Sequence, residues 1–417
     1  VLTLEVLRLW LLKLNTAAST AQLLIWFLLG SFGLLRFAFD NETYIVPLFL
    51  ALWGSYRIEN KEDKNSIVGW ISLAFAVLFH QSYIFWFIAY AISNFRKAQW
   101  IFPVLSGGII LLAYLLAAYS SNESIGNYIV HDVNQGLVDT QIGPMNFLFT
   151  AVNLVRTIIQ IHGSILFIIS DWRLLSIMGF LGLFLLFISF LAFIWTQRSH
   201  RRNQTTKTHI FKGTLSWVFF LQLGFAFYSV GNAEFMVMLL PLAILLMAKA
   251  GLFSSNEKTV KPLMGITIGT WVYNLVFALI PLFLGSNSDA ERLAEILNQN
   301  IPTNNTKKIV LISNEAKSIE NAWEYIARTN GKDATNNILF NLGSSEKDIQ
   351  ELKYLSKDPH VDLLIHNTFV LSSMHSRATA GKNPLLERWI SEQQWEPWQT
   401  THIESPRREI SLLRLRK

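Results

Sequence analysis

Apolar and polar positions follow two different patterns along the chain. Up to about residue 285, long apolar runs alternate with short polar links, at 20–36, 43–56, 67–79, 82–94, 100–119, 147–170, 174–196, 214–229, 235–249 and 263–284. A bilayer-crossing helix needs about 20 such residues, so the pattern predicts a mainly α, polytopic membrane helical bundle of about 9–11 spans over residues 1–285. The run 147–170 contains Arg156 and His162 and reads as one span, a re-entrant pair or an interfacial helix. The opening LEVLRLWLLKL is too short to span and is interrupted by Arg8 and Lys13, so it reads as the tail of a truncated helix. From Ser286 the pattern changes. KKIVLIS, NILFNLG, HVDLLIH and EISLLRL are short strand-like runs, separated by helix-like stretches such as SIENAWEYIARTN and SEKDIQELKYLSKD. That alternation predicts a small α/β domain over 286–417.

Composition agrees with the pattern. The 417 residues are 51% hydrophobic and 15% charged, against about a quarter charged in ordinary soluble domains. The net charge of +6 lies in loops between apolar runs, as membrane topology demands, so no nucleic-acid partner is expected. The absence of cysteine excludes disulfides, thiolate metal sites and a cysteine nucleophile. Basic links at 57–66, 94–99, 197–212 and 249–261 belong on the cytoplasmic side. FAFDNE, LFHQS (78–82), SVGNAE (229–234), the long loop 120–144 and the C-terminal domain then fall outside. For this to hold, 147–170 must cross an even number of times or not at all.

The stretch FAFDNETY, residues 37–44, sets two carboxylates between apolar runs. A carboxylate at mid-bilayer costs roughly 2.5–3.5 kcal/mol even on the lenient insertion scale. Asp40 and Glu42 therefore belong at the outer water boundary. With them the outer connections gather Arg36, Tyr44, His80, Gln81, His131, Asp132, Asp139, Asn232 and Glu234. Carboxylates there can hold a divalent cation such as Mg or Mn, or act as a general base toward a hydroxyl. Arg36 and the histidines can bind phosphate. The plainer reading of each is a solvated or capping group, with Asp40 as a helix N-cap. No Walker loop, dinucleotide fingerprint, nucleophile elbow or HExxH occurs. In the C-terminal domain ISEQQWEPWQT brings together Trp389, Trp395 and Trp398, which either stack on sugar faces or pack a core.

The run GSFGLLRFAFDNETYIVPLFLALWG resembles the third-helix region of bacterial GT-C superfamily glycosyltransferases. LFHQSYIFWFI resembles their next outer turn, and FAFYSVGNAEFMVMLLPLAILLMA is similar to their late helix pair. The likeness covers residues 1–285 in architecture. It implies a multi-pass protein of the bacterial inner or plasma membrane with an extracytoplasmic C-terminal domain. It also implies sugar transfer from a polyprenyl-phosphate-linked donor to a glycan, lipid or protein acceptor, sometimes with a divalent metal. Asp40, Glu42 and Glu234 would serve the chemistry, and Arg36, Tyr44, His80, Gln81, His131 and Asn232 the substrate. The family's principal acid sits in a loop between its first two helices. That loop is expected to precede Val1, which would make Asp40 and Glu42 auxiliary. Two rival readings are a flippase or transporter for a lipid-linked glycan, and a non-enzymatic scaffold whose α/β domain binds a partner.

Overall fold

Long apolar runs fold as helices because a helix satisfies its own peptide groups where water is absent. In the computed structural model the chain divides into two compact units, Val1–Ile280 and Pro281–Lys417. The described residues are 1–39, 44–60, 67–95, 100–121, 124, 126, 143–161, 165, 168–169, 172–201, 213–228, 233–253, 257–281, 289–300, 308–312, 320, 322–326, 338–341, 346–366, 384–404 and 407–416.

The first unit contains α1 (Leu2–Lys13), α2 (Ala18–Gly30), α3 (Phe32–Phe39), α4 (Ile45–Glu59), α5 (Ile67–Phe79), α6 (Ile84–Phe95) and α7 (Ile101–Ser120). It continues with α8 (Met145–Ile158), α9 (Arg173–Arg201), α10 (Thr214–Tyr228), α11 (Leu239–Lys249) and α12 (Glu257–Asn274). Short 3-10 turns at Gln81–Tyr83 and Ala233–Met236 precede α6 and α11, and α12 runs into a π-helical segment, Leu275–Leu279. Among the described residues, three helices are long and apolar enough to cross a membrane: Ile101–Ser120, Arg173–Arg198 and Thr259–Leu279. Five shorter apolar helices accompany them. α7 and α9 leave most of their apolar surface uncovered, with Leu116 60% and Phe184 62% exposed. Exposed apolar faces of this extent mark a membrane protein.

Two of the apolar runs are not single helices. The run 20–36 breaks at Ser31, which is extended (φ −71°, ψ 137°) and separates α2 from α3. The run 147–170 breaks at Ile159 (φ −133°, ψ 146°), where α8 stops. Each break frees backbone groups inside a buried region, and one side chain satisfies them. Asn274 is fully buried at the end of α12. Its Nδ2 donates to the Gly30 carbonyl at 2.8 Å and the Ile158 carbonyl at 2.7 Å. Its Oδ1 accepts the Gln160 N–H at 3.0 Å, and the neighbouring Tyr273 hydroxyl donates to the Gln160 carbonyl at 2.8 Å. Ser31 helps from the other side by donating its hydroxyl to the Leu28 carbonyl at 2.6 Å.

Close helix contact holds Asn274 in place. A Cβ added to Gly269 would meet Leu186 N at 2.6 Å and the Gly182 carbonyl at 2.7 Å. Gly269 thus lets α12 touch the backbone of α9, and Gly265 one turn earlier lets it close on the Ser189 side chain, the small-xxx-small contact of membrane helices. Gly54 and Gly69 do the same for α4 and α5, where a Cβ on Gly54 would lie 2.6 Å from the Gly69 carbonyl.

The second unit contains α13 (Asp289–Asn300), β1 (Lys308–Ile312), β2 (Ile338–Asn341), α14 (Glu346–Leu355), β3 (Val361–His366), α15 (Pro384–Ser391), β4 (Trp395–Glu404) and β5 (Arg407–Leu415). Its mixed five-stranded sheet has the order β2-β1-β3-β5-β4. β1 is parallel to β2 and β3, while β5 is antiparallel to β3 and β4. Strand alternation feeds two cores. Ile309, Leu311 and Leu364 pack with α13 and Trp323 on one face, and Val310, Ile312 and Leu363 pack with α14 and α15 on the other. Arg414 of β5 and Asp362 of β3 form an ion pair at 2.7 Å. The tryptophans form no shared platform. Trp389 and Trp395 meet edge-on at 6.4 Å against the second core, while Trp398 packs into the first.

Two outcomes follow for stability. Asn274→Leu strands two carbonyls and one N–H, each costing about 1–3 kcal/mol when buried unpaired, and a lowered unfolding midpoint in detergent micelles checks this. Residues 281–417 expressed alone should melt cooperatively, and Leu364→Ala should remove about 2–5 kcal/mol in urea titration.

Candidate functional site

Three connections that the sequence places on one side of the membrane meet in the structure. They are represented by Tyr44 at the start of α4, the turn from α5 into α6, and the 3-10 turn before α11. Their meeting point is aromatic. The Tyr44 ring lies 4.5 Å from the His80 imidazole, tilted by 42°. His80 also meets Phe235 edge-on at 6.0 Å and Tyr83 at 6.2 Å. Behind Phe235 lies Phe225 of α10 at 4.7 Å, and behind that Phe85 of α6 at 5.0 Å. The Tyr83 hydroxyl donates to the Tyr44 carbonyl at 3.5 Å, fastening the start of α4 to the α5–α6 turn.

His80 is held by its own turn. α5 ends at Phe79, and His80 takes an extended conformation (φ −155°, ψ 117°) as N-cap of the 3-10 turn. Its Nδ1 accepts the Ser82 N–H at 3.3 Å and lies 2.8 Å from the Ser82 hydroxyl. A peptide N–H can only donate, so Nδ1 is the acceptor and the neutral ring carries its proton on Nε2. The imidazole is thus fixed in tautomer and plane, half-buried between Tyr44 and Phe235.

Arg36 is half-buried on α3, one turn after Phe32. The guanidinium of Arg156 from α8 sits 5.9 Å from the Phe32 ring centre, a cation–π contact. α3 and α8 pack together, so two arginines belong to one helix pair. Guanidinium forks are suited to phosphate oxygens.

Of the residues singled out in the sequence, Tyr44 and His80 come together, and Arg36 lies on α3, which leads toward them. Gln81 is exposed in the 3-10 turn that follows His80. The backbone of Glu234 lies in the 3-10 turn that carries Phe235, while its side chain lies outside the described part. Asp40, Glu42, His131 and Asn232 lie outside the described residues. Among the described residues no three His, Asp or Glu side chains are grouped as metal ligands. Phe235, Tyr83 and Arg156 were not assigned a role from sequence. Arg156 carried the one usable signal, a lone cation within an apolar run. Neither a protein-family model, nor a curated protein, nor a solved structure matches the chain.

The cap at His80 has a measurable consequence. His80→Ala removes an N-cap acceptor worth about 1 kcal/mol. His80→Asn, which keeps a side-chain acceptor, should restore most of the lost thermal stability while removing the ring.

Proposed function

We propose that this protein is an integral-membrane glycosyltransferase of the GT-C type. In this reading the helical unit is a polytopic bundle, and the C-terminal α/β unit lies on the extracytoplasmic side. The sugar comes from a polyprenyl-phosphate donor and passes to a lipid, glycan or protein acceptor. The observation that carries the reading is the meeting of Tyr44, His80 and Phe235. Two of the three connections it joins carry acidic residues, Asp40 and Glu42 in one and Glu234 in the other, each within four positions of those rings in sequence.

The chemistry balances with these groups. An acceptor hydroxyl attacks the anomeric carbon, and the bond from that carbon to the phosphate oxygen breaks. The polyprenyl phosphate leaves with the bonding electrons, and Arg36 supplies a forked donor to its oxygens. The hydroxyl proton goes to a carboxylate, Asp40 or Glu42. Tyr44 and the His80 ring offer faces on which a sugar ring stacks. A divalent cation, Mg or Mn, would find oxygen ligands in Asp40 and Glu42.

A second reading, a carrier for a lipid-linked glycan, draws on a different observation. Breaks at Ser31 and Ile159, bridged by Asn274, are the kind of discontinuous helices from which membrane carriers build their sites. One experiment separates the two. The full-length protein is placed in vesicles with a radiolabelled polyprenyl-phosphate sugar and an acceptor lipid. The transferase reading expects label on the acceptor, with Asp40→Asn or Glu42→Gln lowering the rate about 100-fold or more. His80→Asn should lower it about tenfold at unchanged stability. Label that only changes leaflet, still attached to its original lipid, rejects the transferase and supports the carrier.

A further inference from the structure

Helix α8 is amphipathic in the reverse sense for a helix of an apolar bundle. Asn146, Thr150, Asn153 and Thr157 recur at helical spacing and are at most 9% exposed, while Phe147, Leu148 and Val155 on the other side are 72%, 54% and 48% exposed. Gln160, just past the extended residue Ile159, is also buried. The inward row is therefore polar and itself uncharged, with Arg156 flanking it on the same helix and its Nε buried, and the outward face is apolar.

Part of this face is paired and part is not. Asn146 donates to the Phe227 carbonyl at 2.9 Å and accepts the Gly143 N–H at 3.0 Å. The Thr157 hydroxyl donates to the Leu154 carbonyl of its own helix at 2.7 Å, and Thr267 and Thr270 of α12 bond back to their own helix in the same way. Thr150 does not: its buried hydroxyl has no partner. Neither has the Gln160 Oε1, nor either amide atom of Gln222, which is wholly buried on α10, a helix that packs against α8. A buried polar group without a partner is costly in an apolar bundle, and native proteins keep such groups where a ligand or water meets them.

We propose that the inward face of α8 is the wall of a subsite for an uncharged, hydroxyl-rich group carried on a lipid chain, a glycosyl group in the first instance. The inference rests on the transferase reading and names its sugar-binding wall. Three features support that class of ligand. Amides and hydroxyls that both donate and accept suit sugar hydroxyls, and the row carries no formal charge. α8 also packs against the 3-10 turn that carries Phe235, with Leu154 in the same apolar group as Phe235 and Tyr44, so the helix that bears the polar row borders the aromatic cluster. In the closed arrangement the orphan atoms are sealed. Ligand entry requires α8 to move outward from its partners, releasing the Asn146 bond to the Phe227 carbonyl, and its exposed side is already apolar enough to move against lipid.

The absence of cysteine makes the test direct. Thr150→Cys and Gln160→Cys place single thiols on the inward face, and Leu148→Cys places one on the outward face as a control. Each full-length variant, checked for an unchanged melting midpoint, is treated in vesicles with a membrane-impermeant methanethiosulfonate. The proposal expects reaction at 150 or 160, slowed about tenfold or more by n-octyl β-D-glucoside below its micellar concentration. Octanol, the same chain without the sugar, should not slow it. Gln222→Leu should keep or raise the melting midpoint, since it removes an unpaired buried amide, while abolishing protection at 160. Inert thiols in both variants, equal protection by octanol, or reaction without protection each overturn the proposal. Protection without sugar transfer keeps the subsite and rejects the transferase; transfer without protection rejects the subsite alone.

Discussion

A peptide group inside an apolar bundle must find a partner, and the helical unit depends on how that demand is met at two breaks. An intact helix answers it alone. Once α2 stops at Gly30 and α8 at Ile158, carbonyls at both ends would be left unsatisfied. The carboxamide of Asn274 covers both ends and returns an acceptor to the Gln160 N–H. The net gain of one such bond is about 1 kcal/mol, but each group left unpaired costs more. The magnitude that matters is thus the avoided penalty rather than the bonds themselves. Because of this one side chain, α3 can leave the axis of α2 and lead toward Tyr44 and His80.

Glycine makes that position reachable. Gly265 and Gly269 bring α12 onto α9, and Gly30 is bare where the Trp271 indole passes, with a Cβ there meeting that ring at 2.6 Å. Trp271 in turn donates to the Trp26 carbonyl at 2.8 Å. Side-chain-free contact and side-chain capping therefore both act between α2 and α12, the first reaching α9 as well and the second α8. The π-helical segment begins immediately after Asn274, so the local register changes at the residue whose amide is committed to two neighbours. Such segments recur at functional positions.

Much of this architecture is legible from residue pattern. All four predicted strands of the C-terminal unit appear, because β-branched runs bounded by polar turns constrain the backbone locally. β4 was not recognised, since Trp395, Pro397 and Trp398 read as an amphipathic stretch rather than as half of a hairpin. Its partner β5 supplies the pairing that makes it a strand. The break at Ser31 leaves no trace in the apolar run 20–36, whereas Arg156 and His162 already mark 147–170 as one span, a re-entrant pair or an interfacial helix. The signal common to the breaks at Ser31 and Ile159 was Asn274, an amide within an otherwise apolar run, whose distant partners no local pattern reveals. Tyr44 and His80 are assigned to outer connections from sequence, whereas Phe235 is assigned no role, and the structure sets all three rings together.

β5 lies between β3 and β4 in the sheet, though it follows both in the chain. While the polypeptide is being made, β1, β2 and β3 can pair by themselves, because their parallel contacts are complete once Val361–His366 has emerged. From then until Arg407–Leu415 is synthesised, one side of β3 is a bare row of peptide donors and acceptors. A growing chain therefore passes through an obligatory interval in which its most buried strand is its most adhesive edge. The order of synthesis, not the finished fold, sets when this unit is most open to pairing with the wrong neighbour.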